Sequence, residues 1–272
     1  MGFFSRLKTG WALSMDSLQV LRAEPSLTLF PVIAGLAGAV YLGLVLGGAF
    51  LFVGPDVGVL GYVVLFVAYL GSAFIAAFFS AALMYNAREV FHGRDPTMSE
   101  GLAAAWRNRR PLFVWAVVSA VVGVLLNALE SADNPLADLA SFLFSVAWSV
   151  LTYFVVPVIV FEDVDGRAMF ERSGETFKRT WGETAGASFG VGIVTVLFTL
   201  VGLALAALVF FALGGTGAGV VVAILFGGLV LLTSYLLGST LGSVAKTALY
   251  VYATEGNRPA PFENVDFENA TR

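Results

Sequence analysis

The chain has 272 residues, 58% of them apolar and 12% charged, with a mean hydropathy of +0.86, which excludes an ordinary soluble globular domain. It has no cysteine, so disulfides, thiolate metal sites and cysteine nucleophiles are excluded as well. Acidic residues outnumber basic ones 19 to 15 and Lys is scarce, a balance that suits a salt-loving organism with a GC-rich genome.

From the N-terminus, Phe4, Leu7, Trp11, Met15 and Leu18 recur at three- and four-residue spacing, with Arg6, Lys8, Asp16 and Gln19 on the other face. This predicts an amphipathic helix within 1–26, stopped at Pro25 and lying in the membrane plane with its aromatic stripe at headgroup depth. No small-residue cleavage site precedes a short apolar core, so no signal peptide is expected and the first span is expected to be retained.

Six stretches then exceed or approach the roughly 20 residues that a helix needs to cross a hydrocarbon core. They are 27–53, 57–85, 112–129, 139–161, 185–213 and 220–250, and Lys246 is the one clear charge inside any of them. Backbone groups cannot stay unpaired in lipid, so such runs must be helices, and the alternating ten-residue segments of a transmembrane barrel are absent. The fold class is therefore all-α: a polytopic membrane protein with a six-helix domain over 27–255 and a flexible tail over 256–272.

Every Lys and Arg falls on one alternating set of connections. Arg6, Lys8 and Arg22 precede the first span; Arg88, Arg94, Arg107, Arg109 and Arg110 follow the second; Arg167, Arg172, Lys178 and Arg179 follow the fourth; Lys246, Arg258 and Arg272 close the chain. The opposite connections carry Asp56, Glu130, Asp133 and Asp138 but no basic residue. The positive-inside rule then puts both termini in the cytoplasm of a cell membrane.

Two of the basic links repeat the amphipathic device. Asp95–Pro96 resembles an N-cap and first helical residue, with Thr97 and Glu100 as an alternative capping box, and Met98, Leu102, Ala105 and Trp106 form an apolar face. In the later link Phe170, Ser173, Phe177 and Trp181 align, with Arg172 to the side. Arg107, Arg109, Arg110, Lys178 and Arg179 are candidate contacts for lipid headgroups, whose phosphates are sufficient partners; no nucleic-acid partner is needed.

Polar residues within spans must find a partner or an aqueous path. Ser239, Ser243, Lys246 and Tyr250, joined by Thr240 and Thr247, share a broad face of the sixth span, beside Gly238 and Gly242. Helix packing explains this face, and so does a polar cavity, to which Tyr153 would add beside the bend expected at Pro157. Glu162, Asp163 and Asp165 cluster where the fourth span exits, as helix caps or as a cation site. His92 is the lone histidine, expected exposed, so His-rich metal motifs are impossible. No converging base, nucleophile or metal set is visible, so neither an enzyme nor a cofactor is expected.

An internal echo joins 82–89, ALMYNARE, to 248–255, ALYVYATE; both copies close a span, by duplication or by chance likeness of helix ends. Together with Gly2–Leu7 and Trp11, the run Tyr153–Val158, Phe161–Asp163 and Ser173–Gly182, the Ala82–Tyr85 helix end resembles an uncharacterised six-span membrane protein family frequent in haloarchaea. More distantly the chain is similar to the membrane domain of some glycerophosphodiester phosphodiesterases. The resemblance implies a fold and a location and carries no catalytic residues. The expectation is a non-enzymatic component that binds membrane lipids or another membrane or cytoplasmic protein; the alternative is a small transporter with a cytoplasm-facing cavity.

Overall fold

A computed structural model describes residues 3–52, 58–131, 134–164, 166–213, 217–256, 259 and 262, with backbone alone for 3–10, 181–190 and 218. The helices are α1 (Phe3–Ala23), α2 (Leu29–Phe52), α3 (Gly58–Phe91), α4 (Met98–Arg107), α5 (Arg109–Glu130), α6 (Pro135–Thr152), α7 (Val155–Glu162), α8 (Gly166–Arg179), α9 (Trp181–Ala212) and α10 (Gly217–Glu255). A 3-10 turn at Pro25–Thr28 leads into α2, and no strand occurs among the described residues. Six helical stretches are long and apolar enough to cross a membrane: Pro25–Phe52, Gly58–Phe91, Arg109–Glu130, Pro135–Glu162, Val191–Ala212 and Gly219–Glu255. The protein is thus all-α and multi-pass, and the amphipathic helices α1, α4 and α8 fall in the chain where the sequence predicts helices, except that Trp181, aligned there with α8, opens α9.

The chain divides into two compact units. One comprises Leu29–Arg179 with Ala253–Gly256; the other comprises Met1–Thr28, Thr180–Tyr252 and Asn257–Arg272.

In the unit of α2 to α8 the packed core lies toward the basic ends of the spans. Phe30, Ala81, Ala82, Leu83, Met84, Ala87, Leu112, Phe154, Val158 and Ile159 are buried there, against Ala104 and Ala105 of α4 and Met169 of α8. Toward the opposite ends large apolar side chains stay exposed within the unit, Phe50 by 74% and Val59 by 82%, as lipid-facing residues would be. A helix apolar all round has no hydrophobic face to select its neighbour, so close approach and hydrogen bonding select instead. The α2–α3 pair shows this: Tyr41 lays its ring on Gly71, where any Cβ would overlap it, and donates its hydroxyl to the Val67 carbonyl. Across α3 and α5, Tyr69 covers Gly123 in the same way.

The expected bend in the fourth span is a break. α6 ends at Thr152 and α7 starts at Val155, two residues before Pro157, which lacks an N–H and clashes with the preceding turn. α7 then ends at Asp163, in left-handed conformation at φ +50°.

In the other unit α1 packs along α9. α9 and α10 approach closely where Gly202 meets Val230 and where Gly238 meets Thr195; a Cβ on Gly238 would lie 2.6 Å from Thr195 Oγ1. Gly242, paired with Gly238 in the sequence reading, faces open space. The assignment of Asp16 to an outward polar face is corrected: Asp16 is only 1% exposed and is buried with Leu13, Ser14, Ser17, Val20 and Leu21, while Trp11 is 44% exposed and Met15 also faces outward. The buried side of α1 carries the small side chains Ser14 and Ser17, which allow close helix approach, and the bulky Trp11 is left outside. Phe262, isolated in the sequence pattern, is fully buried.

Candidate functional site

The basic residues singled out from the sequence lie where α4 passes into α5 and where α8 ends. α4 is held rigidly. Thr97 caps it: its hydroxyl accepts from Glu100 N at 3.3 Å while Glu100 Oε2 accepts from Thr97 N at 2.6 Å, so the capping box, and not Asp95–Pro96, starts the helix. Those bonds from the Thr97 backbone and hydroxyl, helped by Arg94, hold the exposed Glu100 carboxyl below its usual range. Asn86 on α3 donates to the Thr97 carbonyl at 3.0 Å. Gly101 sits so close to α3 that a Cβ would lie 2.6 Å from Asn86 Oδ1 and 2.7 Å from the Ala82 carbonyl.

The buried side of α4 is therefore Gly101, Ala104 and Ala105; Trp106, expected on the apolar face, is 60% exposed at its rim, edge-on to Phe78. The Arg109 guanidinium lies over the Trp106 ring at 5.1 Å and donates to the Trp106 carbonyl at 3.1 Å. Arg107, Arg109 and Arg110 are exposed.

α8 docks into the break of the fourth span. Phe154 N, which an unbroken helix would direct to its own turn, donates to Ser173 Oγ at 3.0 Å. Phe170 rests on Trp115 and Trp148, which stack on each other at 5.7 Å, and Phe177 meets Tyr153 edge-on. Lys178 and Arg179 lie exposed in the last turn, where cations complement the helix dipole.

Charge is sorted within these same segments. Arg88 pairs with Glu255, Arg94 with Glu89, Arg167 with Glu171, and Arg172 with both Glu162 and Glu175. The bond that Arg172 donates to Glu162 holds its guanidinium above its ordinary value and gives Glu162 a role other than cation binding; Asp165 lies outside the described residues. Among the described residues, Arg107, Arg109, Arg110, Lys178 and Arg179 have no carboxylate at salt-bridge distance.

The polar face of α10 is in part self-satisfied: Thr240 and Thr247 donate back to the carbonyls of Leu236 and Ser243, each at 2.8 Å. Ser239, Ser243 and Lys246 are half-buried and Tyr250 is buried, all in the unit of α9 and α10. Tyr153 belongs to the other unit, packed on Phe154 and Phe177. Three structural residues escaped the sequence reading. Tyr41 reads as one more apolar residue of a span, Ser173 as part of a stripe, and Glu255 as a helix end whose partner lies 167 positions away.

No curated protein and no solved structure matches the chain. A family model does, from residue 59 to residue 260, which takes in both basic junctions, the broken fourth span and the α9–α10 hairpin. With most of its length so matched, the chain belongs to DUF6159, a family of unknown function.

Proposed function

We propose that the protein is a non-enzymatic component of the cell membrane that binds anionic lipid on its cytoplasmic face, where both termini also lie. The supporting observation is the sorting of charge among the described residues: the other Arg residues of these links are neutralised by carboxylates, while Arg107, Arg109, Arg110, Lys178 and Arg179 are exposed with no carboxylate at salt-bridge distance, beside the ends of two amphipathic helices. A basic side chain near an anionic lipid surface contributes about 1 kcal/mol. Exposed Trp106, stacked with Arg109, has the amphipathic character of residues at headgroup depth. A neighbouring membrane or cytoplasmic protein would meet the same surface.

The test is the lipid complement of the full chain in nanodiscs of mixed phosphatidylglycerol and phosphatidylcholine. Phosphatidylglycerol should be enriched around the parent protein, less so in high salt, and the enrichment should disappear in a variant carrying Arg107→Gln, Arg109→Gln and Arg110→Gln. Enrichment that survives all three substitutions would sink the reading.

Transport through a polar cavity is the second reading, supported by Ser239, Ser243 and half-buried Lys246 aligned on one face of α10. A small polar molecule that co-purifies with the parent and is lost on Lys246→Met would move the assignment there.

A further inference from the structure

We infer that Arg88, His92 and Glu255 form a proton-sensitive latch that fixes the last turn of α10 to the basic end of α3. Arg88 and His92 are four residues apart on the final turns of α3, so their side chains share a face. Glu255 is the last residue of α10, which Gly256 stops at φ +69°. All of these residues belong to the unit of α2 to α8.

The latch has a permanent member and a conditional one. Arg88 donates to Glu255 Oε1 from Nε at 3.0 Å and from Nη2 at 2.6 Å, and its guanidinium is steadied over the Phe161 ring at 4.8 Å. The guanidinium keeps its charge at every working pH. His92 lies between two acceptors: Nδ1 is 2.8 Å from the Arg88 carbonyl oxygen and Nε2 is 3.2 Å from Glu255 Oε2.

Carbonyl and carboxylate oxygens only accept, so each contact is a hydrogen bond only when the ring nitrogen facing it carries a proton. A neutral imidazole has one N–H, so in either tautomer one ring lone pair faces an acceptor. The protonated ring donates from both nitrogens. The imidazolium therefore makes both contacts at once and the neutral ring only one, so protonation strengthens the bridge to Glu255, and histidine is the side chain that ordinarily changes charge between pH 5 and 8.

The neighbouring charges are otherwise engaged or distant. On α3 itself Glu89 is paired with Arg94; on α7 Glu162 is paired with Arg172; on α4 Glu100 is held in its capping box; and Arg109 and Arg110 of α5 make no ion contact with the ring. Among the described residues Glu255 is the carboxylate at salt-bridge distance from His92. Protonation of the ring thus tightens the latch, and loss of that proton relaxes it.

The absence of native cysteine allows a direct test. A nitroxide on Thr254→Cys, at an exposed position of the latched turn, reports its mobility in the full-length protein in vesicles. Acidification from about pH 8 to about pH 5.5 should raise the immobilised fraction several-fold, in keeping with a half-exposed pair. With His92→Gln the spectrum should keep the parent's alkaline form at both values, the turn being held by Arg88 alone; with His92→Lys, whose charge is fixed, it should keep the parent's acidic form at both. A parent spectrum that ignores pH, or a response that persists in His92→Gln, overturns the latch.

Discussion

Single polar atoms decide which apolar helices meet. The Phe154 N–H is buried and has left its own helix; Ser173 Oγ receives it, which ties α8 to the break before Pro157. Ser173→Ala would strand that donor and should lower stability by about 1–3 kcal/mol, seen as an earlier thermal unfolding of the detergent-solubilised protein. An unchanged midpoint would mean that the donor finds water or another acceptor. Within the membrane the Tyr41–Val67 bond should contribute less, about 0.6 kcal/mol as for other interhelical bonds in lipid, whereas Gly71→Leu, which forces the Tyr41 ring aside, should cost more than Tyr41→Phe. Pro157 announced the break in the sequence because a missing N–H acts locally. Tyr41 announced nothing, because its hydroxyl has meaning only once Val67 is beside it.

At the scale of elements, α4 is held by its cap and by the close approach at Gly101. Thr97→Ala removes the hydroxyl acceptor and should cost about 1 kcal/mol, read as faster amide exchange in the first turn of α4. The lowered Glu100 carboxyl gives this cap a pH dependence whose sign is fixed. Its contribution is complete above the ordinary carboxylate value and is lost as pH falls through the lowered one, so protection in α4 should persist through the ordinary carboxylate range and fall only at more acid pH. Periodicity was enough to locate α1, α4 and α8, since apolar residues at helical spacing are a local signal. It misjudged the buried side of α1, because Asp16, Ser14 and Ser17 turn inward toward a helix more than 150 residues distant in the chain. For the candidate site, exposure of Arg107 to Arg110 was legible, but the neutralisation of Arg88 by Glu255 was not, for the same reason of distance.

Across the whole molecule the order of elements recurs three times: an amphipathic helix, then a pair of spans. α1 precedes α2 and α3; α4 precedes α5 and the broken helix α6–α7; α8 precedes α9 and α10. Each amphipathic helix packs against spans of a pair other than its own: α4 on α3, α8 on α6 and α7, and α1 on α9. With an impermeant thiol reagent, cysteines placed at Arg109 or Lys178 should label from the cytoplasmic side and cysteines within 53–57 from the opposite side; the reverse pattern would overturn the proposed orientation. Each amphipathic helix also ends on a basic last turn, Arg22 in α1, Arg107 in α4, Lys178 and Arg179 in α8, just before a span begins. A basic turn resists translocation, so in the proposed orientation every hairpin would carry its own retention signal and enter the bilayer as one piece. The three hairpins would then be oriented independently during synthesis, and reversing the charge at one junction should misorient that hairpin alone.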